Sequence, residues 1–191
     1  MSTSSRERRV STIEMDPPLE TEAVQGWRVT KYDPRRRDAA GRYLETEWTS
    51  VSDIGRVIAG LLLDVAAYSS VEDAYVETAM AFHADAGAPV LFARDVEMSG
   101  KAPNIAGAVL SSPPSEESPV GRGELPVWIR SCLREIVWCR LESPSGNRMI
   151  HFGYDYYMYL TGPRLEESTR ALATARGLYL EPFESPYLRS P

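Results

Sequence analysis

Ile136-Val137-Trp138-Cys139-Arg140-Leu141-Glu142-Ser143-Pro144-Ser145-Gly146-Asn147-Arg148-Met149-Ile150-His151-Phe152 reads as two strands and the turn between them. Ile136 to Leu141 is rich in β-branched and aromatic types. Ser143-Pro144-Ser145-Gly146 has turn chemistry, and Arg148 to Phe152 forms the return strand. With those turn residues as the loop, Glu142 faces Asn147, Arg140 faces Met149, Cys139 faces Ile150 and Trp138 faces His151. Side chains alternate between faces with a period of two. Val137, Cys139, Leu141, Ile150 and Phe152 therefore share an apolar face, which calls for helices over it. Trp138, Arg140, Met149 and His151 share the other. That second face has two readings. It packs against the N-terminal part, at Trp27 or Trp48, or it binds a partner, because Trp, Tyr and Arg anchor interfaces.

Downstream, Gly153-Tyr154-Asp155-Tyr156-Tyr157 leaves its parity open. A tight turn at Tyr154-Asp155 and a continuous strand put Tyr157 on opposite faces. Either way the tyrosine hydroxyls need partners if buried and offer contacts if exposed. Tyr156 to Leu160 continues the sheet. A helix over Pro163 to Arg176 has Glu166 and Glu167 in its first turn and Arg176 in its last, as the helix dipole favours. Gly177 stops it, and Leu178 to Phe183 is a closing strand.

Upstream, Trp27 to Tyr32 alternates as a strand that Pro34 ends, and Tyr43 to Trp48 reads as its hairpin partner. The tip of that hairpin holds Arg35, Arg36, Arg37 and Asp38, a second set of candidate contact residues. Thr49, Ser50 and Ser52 offer helix caps before Asp53. A longer helix spans about Val65 to Ala86, capped by Asp64, with Tyr68, Val71, Tyr75, Ala79 and Phe82 as its apolar stripe. Glu72, Asp73 and Glu77 lie off that stripe. Pro89 to Val96 is a strand, and a short helix covers Val127 to Arg134. The expected fold is α+β: an antiparallel or mixed sheet of about 5–7 strands with two main helices packed on one face. Residues 1–25 read as a disordered tail, 26–187 as a single domain, and 111–126 as an exposed Ser/Pro/Glu/Gly loop.

Several stretches together resemble a family of small, largely uncharacterised bacterial cytosolic proteins. They are Tyr32-Asp33-Pro34, Glu47-Trp48-Thr49-Ser50 with Ser52-Asp53-Ile54-Gly55, Arg134 to Glu142, His151 to Tyr159, and Gly177 to Tyr187. Proteins with such endings are similar to immunity partners of polymorphic toxins. The resemblance implies a cytoplasmic, stoichiometric inhibitor of a toxin and brings no catalytic residues with it. The N-terminal tail and the 111–126 loop depart from the family's compact pattern.

The chain has 191 residues, a net charge of −6 and a pI near 5.1. Such a charge disfavours general nucleic-acid binding, which depends on cations displacing counterions from phosphates. Trp138 and Tyr157 as stacking platforms beside Arg140 are the RNA-binding alternative, and the charge weighs against it. No apolar run approaches the roughly 20 residues of a membrane span. Cys132, Cys139, His83 and His151 have no metal-ligand spacing, so no metal or other cofactor is expected, and Cys139 reads as a small buried apolar residue.

The enzyme reading makes His151 a general base oriented by Asp155 or Glu135. Asp33, Asp38, Glu47 and Asp53 are a conceivable divalent-cation cluster, but each also suits turn or cap chemistry. No nucleophile elbow, zinc-protease, P-loop or dinucleotide motif occurs. The expectation is a non-catalytic protein-binding module, whose contacts come from Trp138, Arg140, Met149, His151, Tyr154, Asp155 and Tyr157. An acidic inhibitor suits a basic toxin domain.

Overall fold

A computed structural model describes residues 23–99, 105, 110 and 112–187. The expected tail falls almost wholly outside that range. The chain is α+β. Seven strands form one sheet: β1 (Gln25–Thr30), β4 (Leu91–Met98), β5 (Pro119–Val120), β6 (Val137–Glu142), β7 (Met149–Phe152), β8 (Met158–Gly162) and β9 (Tyr179–Pro182). They lie in the order β5-β4-β6-β7-β8-β1-β9, and every neighbouring pair is antiparallel. A separate ribbon joins β2 (Val57–Ile58) to β3 (Leu61–Leu62). Its Val57, Leu61 and Leu62 are exposed.

Three helices complete the fold: α1 (Val65–Ala84), α2 (Leu125–Leu133) and α3 (Glu167–Ala175). Asp64 caps α1, its carboxylate accepting from the Ala67 amide at 2.7 Å. Tyr68, Tyr75, Ala79 and Phe82 are buried along α1, as the stripe requires. They share one apolar cluster with Leu125, Ile129 and Leu133 of α2, Ala173 of α3, and the inward residues of the sheet. Each fully buried Leu, Ile or Phe there contributes about 1.5–3 kcal/mol.

The core face of the β6–β7 hairpin is as its alternation dictates. Val137, Cys139, Leu141, Ile150 and Phe152 are all buried in the core cluster. The register differs from the expected one. Arg140 pairs with His151 and Glu142 with Met149. The Ser143 amide donates to the Arg148 carbonyl at 2.9 Å, which makes Pro144 to Asn147 the loop. Ser143 Oγ accepts from the Arg148 amide, and Asn147 Oδ1 takes the Ser145 hydroxyl. The slip is even in number, so no side chain changes face.

Three other expectations are corrected. Tyr43 to Trp48 is not a strand; only one isolated bridge links Arg37 to Tyr43. β1 instead lies between β8 and β9, so both its edges are taken by distant strands. The loop expected at 111–126 contributes an edge strand, with Val120 buried opposite Leu91. Glu72, placed off the helical stripe, is fully buried. Its carboxylate binds Arg134 Nε at 2.6 Å and Arg130 Nη1 at 2.6 Å, both reaching in from the C-terminal end of α2.

Candidate partner-binding site

The helix-free side of the sheet carries a polar row set by strand pairing. Arg94, Arg140, His151, Tyr159, Arg28 and Glu181 lie in successive strands. Neither Trp27 nor Trp48 covers this row. Trp27 is buried in the core cluster, and Trp48 packs against Tyr68 and Tyr156 with ring centroids 5.3 and 4.8 Å apart. The cover is the segment after β9. The Phe183 amide donates to the Gly26 carbonyl at 2.9 Å. A Cβ on Gly26 would stand 2.7 Å from the Phe183 carbonyl oxygen, so the close approach requires glycine. Ser185 is buried with Oγ 3.2 Å from His151 Nδ1. Tyr187 meets His151 and Trp138 edge-on at 5.5 and 5.9 Å.

This cover decides what the expected contact residues can do. Met149 and His151 are buried, and His151 is 3% exposed. Burial, helped by the Arg140 guanidinium, lowers the His151 pKa to about 4, with Asp95 opposing. The imidazole is therefore neutral at pH 7 and packed among Trp138, Tyr159 and Tyr187. Arg140 is half-buried and pairs with Asp95 at 2.8 Å. Trp138 is half-buried, whereas Tyr154 and Asp155 are exposed.

Residues 153–157 form the loop that closes β7 onto β8. The Gly153 amide donates to the Tyr157 carbonyl at 2.9 Å, and Phe152 pairs with Met158. The open question of parity is answered by a turn. Tyr156 points into the core, where its carbonyl accepts from Tyr75 Oη at 2.8 Å. Tyr157 lies on the helix-free side beneath Arg28, 5.0 Å from the ring centre.

Beside this loop is a cavity of about 280 Å³. Trp138, Phe152, Tyr154, Tyr156 and Tyr157 line it together with Asp155, Glu135 and Cys132. Glu135, Asp155 and Tyr156 hold φ of +57°, +56° and +62°. Such left-handed conformations cost on the order of 1–3 kcal/mol each and persist where surrounding structure enforces them. A second cavity of about 340 Å³ adjoins the first and shares Thr49, Asp155 and Tyr157 with it. Tyr32, Tyr43, Glu45 and Glu47 complete its wall, with Arg42.

The tip candidates stand apart from the Trp138 cavity and are already paired. Asp33 binds Arg35 at 2.6 Å, and this contact lowers its pKa to about 2. Arg36 binds Glu45 at 3.0 Å, Arg42 binds Asp38 at 3.2 Å, and Arg37 stacks near Tyr157 at 5.8 Å. The acidic residues of this region do not converge. Asp53 completes a capping box with Ser50, and Glu47 takes Lys31 at 2.7 Å. Among the described residues no group of three or more His, Cys, Asp or Glu is arranged to hold a metal ion. Cys132 and Cys139 are free buried thiols with sulfurs 3.6 Å apart, and burial pushes the Cys132 thiol up.

Two contributors have roles that the sequence pattern does not announce. Tyr187 closes the aromatic cluster, yet its Ser-Pro-Tyr context has no strand pattern. Glu135, expected as a partner for His151, instead lines the cavity, and its left-handed backbone has no signature of the kind glycine provides. No family model matches this chain, and comparison with curated proteins and with solved structures returned no match. Among the described residues no helix is long and apolar enough to cross a membrane.

Proposed function

We propose that this chain is a non-catalytic, cytoplasmic protein-binding module of the immunity type, which neutralises a basic toxin domain by stoichiometric binding. The observation that carries the reading is the aromatic cavity beside residues 153–157. It combines an exposed Tyr154, a half-buried Trp138 and an exposed carboxylate at Asp155 on enforced backbone. Aromatic anchors in a partly desolvated pocket are the usual energetic centre of a protein interface. The net charge of −6 favours encounter with a cationic surface. His151, the base of the enzyme alternative, is buried beneath Ser185 and Tyr187 and is not on the cavity wall, which favours the binding reading.

The test is affinity capture from a native lysate, followed by mass spectrometry, with wild type, Tyr154→Ala and Trp138→Ala side by side. Tyr154 is 70% exposed, so its loss leaves folding intact. A basic protein held at one-to-one stoichiometry by wild type and released by Tyr154→Ala supports the reading. Capture indifferent to both substitutions, or no basic protein retained, overturns it.

A further inference from the structure

We infer that the Trp138–Tyr154 cavity receives an arginine side chain of the protein partner, stacked on the rings and paired with Asp155. The inference rests on the partner-binding reading and gives that partner's anchor a chemistry. Five aromatic residues line the cavity, and the described wall contains neither lysine nor arginine. Asp155 is exposed and makes no ion pair among the described residues.

The rest of the molecule shows how this chain uses aromatic rings. Lys31 sits 4.1 Å from the ring centre of Tyr32 and 4.2 Å from that of Trp48. Arg28 lies 5.0 Å from Tyr157 and 4.2 Å from Phe183. Tyr32, Trp48, Tyr157 and Phe183 thus have cations supplied from within the chain. Among the described residues no cation lies over Trp138 or Tyr154, the two rings that meet at 5.3 Å on the accessible side. A tryptophan face is the strongest cation–π acceptor among side chains. Guanidinium is planar and weakly hydrated, stacks on such rings, and presents a fork that matches a carboxylate. A lysine ammonium would have the charge without that planar fit. A single arginine with its alkyl stem against Phe152 and Val137 uses both the apolar and the acidic parts of the wall.

The test is an NMR titration of the full chain with N-acetyl-arginine amide, with N-acetyl-citrulline amide as the uncharged isostere. The arginine probe should shift the Trp138 indole N–H and the amides of 153–157, and the citrulline probe should not. Asp155→Asn preserves the backbone, because asparagine also tolerates positive φ. It should weaken the arginine probe about tenfold by removing a charged hydrogen bond. Equal shifts from citrulline, shifts mapping elsewhere, or no shift at millimolar probe would overturn the inference. L-Arginine bound tenfold tighter than the blocked amide would assign the cavity to a free metabolite and overturn it too. The two ideas fail separately. A basic partner lost with Tyr154→Ala, beside a silent arginine titration, removes the cation alone. A positive titration beside capture that ignores Tyr154 and Trp138 removes the partner reading instead.

Discussion

Glu72 is a carboxylate with no access to water, held by two guanidiniums, Arg130 of α2 and Arg134 just after it. Removing one member of a buried pair leaves an uncompensated charge, at about 3–5 kcal/mol. Glu72→Gln should lower stability by that amount in urea titrations; a loss under 1 kcal/mol would show that the pair is solvated. His151 gives a pH dependence. In the unfolded chain it protonates near its ordinary value of 6.5, but in the folded chain only near 4. Between those values the unfolded state binds the extra proton, so stability falls as pH drops through that window and levels off below it. The shift corresponds to about 3 kcal/mol. His83, also lowered by burial, acts in the same direction. His151→Gln should remove the larger part of this acid-side slope, measured as urea midpoints between pH 7 and 4. The burial of Glu72 was not legible beforehand; a packed face at His151 was one of two readings, but its cover is Ser185 and Tyr187 rather than Trp27 or Trp48. A helical period places Glu72 on the polar side, and nothing local announces two arginines arriving from another helix.

At the scale of elements, the cover formed by 183–187 depends on two glycines. A Cβ on Gly153 would come 2.7 Å from Tyr159 Cε2 and 3.1 Å from Tyr187 Cε2. Tyr187 packs against the buried Tyr159 ring at 6.2 Å, so making room for the Cβ requires Tyr159 to shift and Tyr187 to lift. Gly153→Ala should cost about 1–3 kcal/mol by overpacking. It should also raise hydrogen exchange at 185–187, while unchanged exchange there would mean the cover is not seated on this glycine. The β6–β7 hairpin shows why some elements were readable. Its faces follow from period-two chemistry between Val137 and Phe152, and an even error in loop length leaves those faces intact. β1 shows the opposite case. Its strand pattern was plain, but its partners come from the far end of the chain, as the 2.8 Å Arg28–Glu181 contact illustrates. Local turn residues at 34–41 suggested a nearer partner that the sheet does not use.

For the whole molecule, the sheet divides a closed side from a side of selective access. Helices seal the apolar face. The C-terminal segment seals His151, Met149 is buried as well, and what stays reachable is the rim of Trp138, Tyr154 and Asp155. The overall class was legible because strand and helix periods alternate clearly along the chain. Which residues of the second face remain accessible was not, because that is decided by a short segment without periodicity. If the acidic surface steers a basic partner, its association rate should fall by about tenfold or more between 50 and 500 mM salt, with dissociation much less affected. A salt-insensitive rate would leave charge without a role. The most direct measurement is hydrogen–deuterium exchange of the chain alone against its captured complex. Partner binding at the Trp138 rim predicts protection concentrated at residues 135–138 and 153–157. Protection confined to the exposed faces of α1 and α3, with the Trp138 rim unchanged, would contradict it.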